Sequence, residues 1–322
     1  MSSSAAASSS PARWRGRQFH YQPVQSHVHP FLVDLWDAVR RETDGQLHIE
    51  VFADNGGQKA KSHLDIVGDV IAGQIEFYAL MGSILGPLAP AMNVQSLPFA
   101  FRDSAEVHRT MDGPLGDRLR ADLAARGLML VPGGLMENGF RHIATTDRPI
   151  TRVDDLAGLA IRIPEGKVFE DTFRELGAQP VPLFVLELYD ALKTGRIQAQ
   201  ENPLAIIDSL ELHEVTRYVS LTSHMWSGFN IVGNPAFWAA LSQNVQQVVL
   251  RNVALHVGRQ RRHTNALNAG LATSLQQRGM VFNTADAASF RARLAGGFYR
   301  RWKDELGGRV WSLLEAEVGT LA

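Results

Sequence analysis

The sequence predicts an α/β protein in two domains, on three observations. Strand and helix patterns alternate from Gln18 to Met81 in the order β-α-β-α-β. The 322 residues exceed a typical single domain of roughly 100–200 residues. A proline-free helical stretch, Gln243–Arg278, would span roughly 50 Å at about 1.5 Å per residue, more than one domain's width, so it should bend or lie across two.

Taken in order, Gln18–Gln22 reads as a strand, followed by a loop, Pro23–Pro30, that carries His27 and His29. Phe31–Thr43 sets Phe31, Leu35, Trp36 and Val39 on one helical face, and Asp44-Gly45 stops it. Leu47–Phe52 alternates as a strand, and Asn55-Gly56-Gly57 is a turn. Asp65–Ala72 is a helix ended by Gly73, and Ile75–Met81 a buried strand. Leu97-Pro98-Phe99 leads into a helical stretch, Ser104–Arg126, and the strand Leu128–Val131.

A second unit starts near Asn138. Phe140–Ala144 is strand-like, Thr151–Leu156 a capped helical turn, Leu159–Ile163 a strand and Lys167–Leu176 a helix stopped by Gly177. Leu186–Thr194 is a further helix, and Pro203 opens another that runs to about Leu212. Tyr218–Thr222 and Phe229–Val232 are strands. After the long helix, Ala285–Glu305 and Val310–Val318 read as amphipathic helices.

Composition narrows the function. Hydrophobic residues make up 45% and charged residues 20%, which excludes a disordered chain. With 32 basic and 33 acidic residues, no basic excess exists to drive binding to nucleic acid. Cysteine is absent, which removes disulfides, thiol nucleophiles and zinc–thiolate sites. No run reaches the roughly 18 apolar residues of a membrane helix. Met1–Pro11 is a Ser/Ala tract without the basic and apolar regions of an intact secretory signal, and residues 1–16 read as a disordered lead-in or an added segment.

Catalytic signatures are missing: no G-x-S-x-G elbow, phosphate loop, G-x-G-x-x-G after the first strand, or H-E-x-x-H. His27-x-His29 has metal-ligand spacing but no accompanying carboxylate cluster, so no metal and no cofactor is expected. The informative stretch is Glu137 to Pro203. Within it Arg162 stands in an apolar strand between Ile161 and Ile163, just before Pro164. A buried guanidinium needs an anionic partner, because an unpaired buried charge is costly. That partner is either a protein carboxylate (Glu165, Glu170 or Asp171) or the carboxylate of a ligand, whose two oxygens match the guanidinium fork.

The chain's motifs, in order, are Thr43-Asp44-Gly45-Gln46-Leu47, Leu97-Pro98-Phe99, the strands bearing Arg141 and Arg162, Glu187-Leu188-Tyr189-Asp190-Ala191-Leu192-Lys193-Thr194-Gly195, and Glu201-Asn202-Pro203. Together they resemble the solute-binding proteins of tripartite ATP-independent periplasmic (TRAP) transporters, from about Gln18 to Gly319. The resemblance implies a periplasmic-binding-protein-like fold of two lobes with mixed sheets, a ligand cleft between the lobes and a long helix spanning both. It implies discontinuous lobes, 17–139 plus 228–267 and 140–227 plus 268–322. It also implies a periplasmic, monomeric binding protein rather than an enzyme, which captures an organic acid and passes it to membrane permease subunits.

Residue by residue, Arg162 matches the arginine that clamps the ligand carboxylate, Arg141 a second cleft arginine, and Asn202 an asparagine bonded to the same carboxylate. The alternatives are a hinge ion pair for Arg141 and a helix cap for Asn202. Glu137 and Asn138 are candidates for the ligand's polar end, or a turn before Gly139. Tyr78 and Ser83, at the end of the Ile75–Met81 strand, are placed where open α/β sheets present ligand loops. Gln22, Gln25 and His27 follow the first strand similarly. His224, Met225 and Trp226 line the cleft or pack in the core. This chain departs from the family at Gln198-Ala199, Thr145-Thr146 and Val185, which concerns the ligand-shaping side of the cleft. With Tyr78, Met81, Met136, Met225 and Trp226 near the site and few further cations, the expected ligand is a monocarboxylate with an apolar or aromatic body. Sugar acids and C4 dicarboxylates are the alternative, and an α/β enzyme acting on a carboxylate is the alternative of another class.

Overall fold

A computed structural model of the chain describes residues 12–58 and 61–321. The Met1–Pro11 tract lies outside the described residues. The chain opens with β1 (Trp14–His20), α1 (His29–Glu42), β2 (Leu47–Phe52), α2 (His63–Ile71) and β3 (Phe77–Met81). Helix α1, with proline in its first turn, buries Leu35, Trp36 and Val39 of the expected face together with Leu32, while Phe31 is only half-buried. Helix α2 starts at a capping box: Ser62 accepts from the Asp65 N–H while Asp65 accepts from the Ser62 N–H. That cap fixes His63 at the helix's first position.

Next come α3 (Ser104–Asp112), α4 (Pro114–Ala124) and β4 (Met129–Thr145). The helical stretch expected as one piece breaks at Gly113-Pro114, where Pro114 lacks the N–H that would continue α3. Then follow β5 (Ala160–Ile163), α5 (Lys167–Glu175), β6 (Gln179–Pro182), α6 (Leu188–Lys193), β7 (Ala199–Asn202), α7 (Leu204–Ser209) and β8 (Tyr218–Gly233). The chain closes with α8 (Pro235–Ala240), α9 (Gln243–Gln277), β9 (Val281–Thr284), α10 (Ala287–Leu294), α11 (Gly297–Leu306) and α12 (Gly308–Val318).

The nine strands among the described residues form one mixed sheet, ordered β2-β1-β3-β8-β4-β7-β5-β6, with β9 paired to β8. The strand pairs expected as separate, 128–131 with 140–144 and 218–222 with 229–232, are each one long strand, β4 and β8. These two run antiparallel through both halves of the sheet, with register shifts beside Gly139 and Arg141. One half adds β3, β1 and β2; the other adds β7, β5, β6 and β9. Helix α9, 35 residues long, ties the halves together. Its Arg251 pairs with Glu42 of α1, its Gln260 brackets the backbone N–H and C=O of Glu137, and its Arg278 pairs with Asp208 beyond β7.

Two further expectations change. Residues 14–16, placed in the lead-in, belong to β1: the Trp14 N–H donates to Gln46 O at 2.9 Å and Trp14 lies in register with Leu47. Strand β3 joins β1 only from Gln18, so Arg15 and Arg17 point to solvent and their charges hide the strand in the sequence. The chain's end, placed with the second lobe, packs α12 against α3 and α4, and Arg109 reaches Glu317 at 3.4 Å, which puts it on the first half.

The crossing point of β4 has no room for a side chain. Gly139 has φ +122°, and a Cβ there would stand 2.6 Å from Asn268 Nδ2 on α9 and 3.4 Å from Pro203 Cβ. Gly139→Ala should therefore destabilise the protein by about 1–3 kcal/mol, the usual range for overpacking. Scanning calorimetry should show the melting temperature lowered by several degrees; an unchanged value would contradict this packing.

Candidate ligand-binding site

The C-terminal ends of β1 and β3 from one half, and of β5, β6 and β7 from the other, converge on the middle of the sheet. This is where open α/β sheets gather ligand-contacting loops. The two sets of loops touch: a Cβ on Gly166, after β5, would lie 3.5 Å from Ser83 Cβ, after β3.

Arg162 leaves the end of β5 with only 2% of its surface exposed. Its Nε and Nη2 donate to one backbone carbonyl, Leu183 O, at 2.9 and 2.6 Å. Among the described residues it has no ion-pair partner. Of the three carboxylates the sequence offered, Glu170 is taken by Arg174 and Asp171 by Lys167, and Glu165 acts on Arg162 only as a weak, more distant charge. Burial, and next the neighbouring Arg141 charge, lower its pKa to about 10.

Arg141 is the opposite case. Its Nε and Nη2 grip the two carboxylate oxygens of Glu201, and Nη2 also reaches Glu201 O at 2.6 Å and Asn202 Oδ1 at 3.0 Å. Its Nη1 donates to Ser227 Oγ at 3.3 Å. His224 Nε2 stands 3.2 Å from the same Glu201 carboxylate, and its Nδ1 is 2.7 Å from Thr222 Oγ1. Burial favours the neutral acid, but Arg141 and the His224 hydrogen bond outweigh it and hold Glu201 below the usual carboxylate range. Asn202 caps no helix; Pro203 opens α7, and the Asn202 amide bridges Arg141 and Gln200 Oε1, the latter at 2.6 Å.

Across the cleft, His63 lies between the Tyr21 ring, 4.5 Å away, and the Phe184 ring of the other half, 5.0 Å away. Its Nδ1 is 2.8 Å from the Tyr78 hydroxyl, which donates to Asn55 Oδ1 at 3.0 Å. Burial first, then the Arg162 charge, lower the His63 pKa to about 4. Several buried polar atoms at or near these strand ends lack a partner among the described residues: Gln22 Oε1, Ser26 Oγ, Ser83 Oγ and Gln200 Nε2.

Among the described residues, no hydrogen bond or ion pair joins the other sequence candidates to Arg162. Glu137 accepts from Trp226 Nε1 at 2.6 Å, and its other oxygen is 3.1 Å from His108 Nε2 without hydrogen-bond geometry. Trp226 meets His108 edge-on, and Asn138 Nδ2 donates to Ser227 Oγ at 3.0 Å, so all three knit the β4–β8 crossing. His27 packs beside Phe229, and burial lowers its pKa to about 4. Sequence reasoning did not single out Tyr21, Asn55, His63, Phe184 or Glu201. The signals were the Ser62–Asp65 capping box, the positive-φ Asn55 turn, and the acid beside Asn202 in a motif already quoted.

A profile of the bacterial extracellular solute-binding proteins of family 7 matches residues 19–300. The chain belongs to that family. It is a TRAP-type solute-binding protein, the binding component of a transporter and not an enzyme. Among relatives, the 2,3-diketo-L-gulonate-binding periplasmic protein of Escherichia coli is 32% identical over 76% of this chain and 74% of its own. A TRAP periplasmic solute-binding protein from Polaromonas sp. JS666, bound to D-erythronate, superposes with TM-score 0.86 at 28% identity, covering 94% of this chain and 98% of the other. One from Roseobacter denitrificans, with bound β-D-glucuronate, gives TM-score 0.87 at 27% identity over 94% and 99%. The two-lobe fold of these neighbours is the fold of this solute-binding protein.

Glu201→Gln should cost the solute-binding protein about 3–5 kcal/mol, because it strands the buried Arg141 charge. Urea titration would show it as a lower midpoint; a midpoint equal to wild type would mean the pair contributes nothing. Stability should also fall with pH. His27 and His63 titrate near 4, and His20 and His142 near 3, when folded, against about 6.5 in the unfolded chain. Below 6.5 the unfolded state binds more protons, so stability present at pH 7 is lost progressively toward pH 4 and below. Urea midpoints at pH 7.5, 5.5 and 4.5 should fall in that order; a flat profile would overturn the neutral assignment.

Proposed function

We propose that this protein captures a sugar acid, a polyhydroxylated monocarboxylate, in the periplasm and delivers it to a TRAP permease. The observation that carries the reading is Arg162: a buried guanidinium at the meeting of five strand ends, with a single carbonyl as its hydrogen-bond partner among the described residues. A ligand carboxylate supplies the missing charge in fork geometry. Arg141 supports the site without touching the acid, since Glu201 occupies it, and Asn202 stands between the two arginines' strands.

The body of the ligand follows from what surrounds that charge. Trp226 and Met136, which favoured an apolar ligand in the sequence, belong to the β4–β8 crossing, and Trp226 spends its N–H on Glu137. The strand ends instead offer Gln22, Ser83 and Gln200, whose unbonded polar atoms suit hydroxyl groups. The hydroxylated acids named for the relatives support the same class. A second carboxylate would need a second cation, and the candidates Arg141 and His224 already serve Glu201, while burial keeps His27 neutral. The two lobes divide where β4 and β8 shift register, near Gly139 and Ser227, and closing them on the acid buries its charge.

Calorimetry against D-erythronate, D-glucuronate, D-galactonate, succinate and hexanoate tests this. The sugar acids should bind at least tenfold tighter than succinate and hexanoate, and Arg162→Ala should lose about 2–5 kcal/mol of that affinity while remaining folded. Arg162→Lys should also weaken binding, because an ammonium lacks the planar fork. Succinate as the tightest ligand, or Arg162→Ala within twofold of wild type, would overturn the proposal.

A further inference from the structure

The hydrogen-bond chain behind His63 fixes where its ring proton sits. A phenol has one hydrogen, and Tyr78 gives it to Asn55 Oδ1 at 3.0 Å. The 2.8 Å contact between Tyr78 Oη and His63 Nδ1 is therefore made by a hydrogen on Nδ1. A neutral imidazole carries only one such hydrogen, so Nε2 is a bare acceptor, and it has no partner among the described residues. His63 is held at the first position of α2 by the capping box, its ring tied to Tyr78 through Nδ1 and in tilted contact with the Tyr21 and Phe184 rings. Phe184 follows Leu183, the residue whose carbonyl holds Arg162, so the imidazole faces the same space as the guanidinium.

We propose that His63 is a specificity-determining residue: with its hydrogen fixed on Nδ1 by Tyr78 and Asn55, it presents Nε2 as an acceptor to one hydroxyl of the acid whose carboxylate Arg162 holds. This rests on the sugar-acid reading and sharpens it. A lone pair repels a carboxylate, so Nε2 steers the anion to Arg162 and takes an O–H group instead. The same lone pair rejects a carbonyl at that carbon, which offers no hydrogen, so the site separates a hydroxy acid from its deoxy or keto counterpart. Tyr78 and Asn55 touch no ligand in this arrangement; they are positioning residues that hold the tautomer.

The test uses the full-length protein and D-galactonate, D-glucuronate and D-erythronate, each compared with forms lacking a single hydroxyl. In wild type, loss of one particular hydroxyl should cost at least about tenfold in affinity, the value of one buried hydrogen bond with its partner left unpaired. His63→Phe keeps the aromatic contacts, and there that ratio should shrink to within about threefold while ratios at other carbons persist. His63→Gln, which restores an acceptor, should recover part of the preference and serves if the phenylalanine variant does not fold. Nitrogen-15 NMR should show the Nδ1–H tautomer of His63 in wild type and its loss in Tyr78→Phe, a change that a merely packing role would not produce. If no sugar acid binds wild type, the functional reading fails and this inference with it. If they bind, the inference alone is overturned by unchanged hydroxyl ratios in both His63 variants, or by an Nε2–H tautomer in wild type.

Discussion

Two guanidinium groups are buried in the middle of the sheet, and the Glu201 carboxylate bonds only one of them. Glu201 closes on Arg141 with both oxygens, and His224, Ser227 and Asn202 fill out that network. Arg162 is left with a backbone carbonyl. A hydrogen bond to a neutral oxygen offsets part of the desolvation of a buried cation but not its charge. The fold therefore stores an electrostatic deficit at one point, and the lowered Arg162 pKa is its signature. Had Glu201 been shared evenly, the site would have little call on an external anion.

The architecture keeps that deficit accessible. Strands β4 and β8 pass through both halves and carry Arg141, His224 and Ser227, while β7, paired directly with β4, brings Glu201 and Asn202 to them. Arg162 sits on β5, a four-residue strand reached only through β7, at the end facing the loops of the other half. The rigid network belongs to the spine and the unpaired charge to the rim. Helix α9 reinforces the same division, gripping the Glu137 backbone at the crossing while leaving the strand ends free. Relative motion of the halves then alters the surroundings of Arg162 far more than those of Arg141.

Much of this was legible in the sequence, and the parts that were not have physical causes. Arg162 was visible because a charge between two isoleucines contradicts its strand, and Arg141 because the motif order placed it. The long strands were not, since Gly133, Gly134 and Gly139 interrupt β4 where it bulges, and local alternation fails at each. Strands β6 and β7 were missed because four residues carry little periodicity, and β6 holds two prolines at an edge. Glu201 stood within a quoted motif, but its role shows only once Arg141 on β4 is in place. His63 had no signal of its own: a histidine after a serine cap is ordinary, and only the fold brings Asn55 and Tyr78 behind it.

The apolar ligand expected from the sequence shows how proximity in the chain misleads about proximity in a cleft. Met136 and Trp226 flank residues that matter, yet on β4 and β8 they pack in the spine, and the indole N–H is spent on Glu137. What reaches the strand ends is the loop following each strand: Gln22 after β1, Ser83 after β3, Phe184 after β6. Those loops are polar, and several of their buried atoms have no internal partner. A buried polar atom left unbonded costs more than a bonded one contributes, so such a cleft tolerates an apolar guest poorly. Aromatic rings remain, in Tyr21 and Phe184, but both face His63, so they serve to hold an acceptor in place rather than to cover an apolar ligand. The cation selects the acid, and the unbonded loop atoms select its hydroxyls.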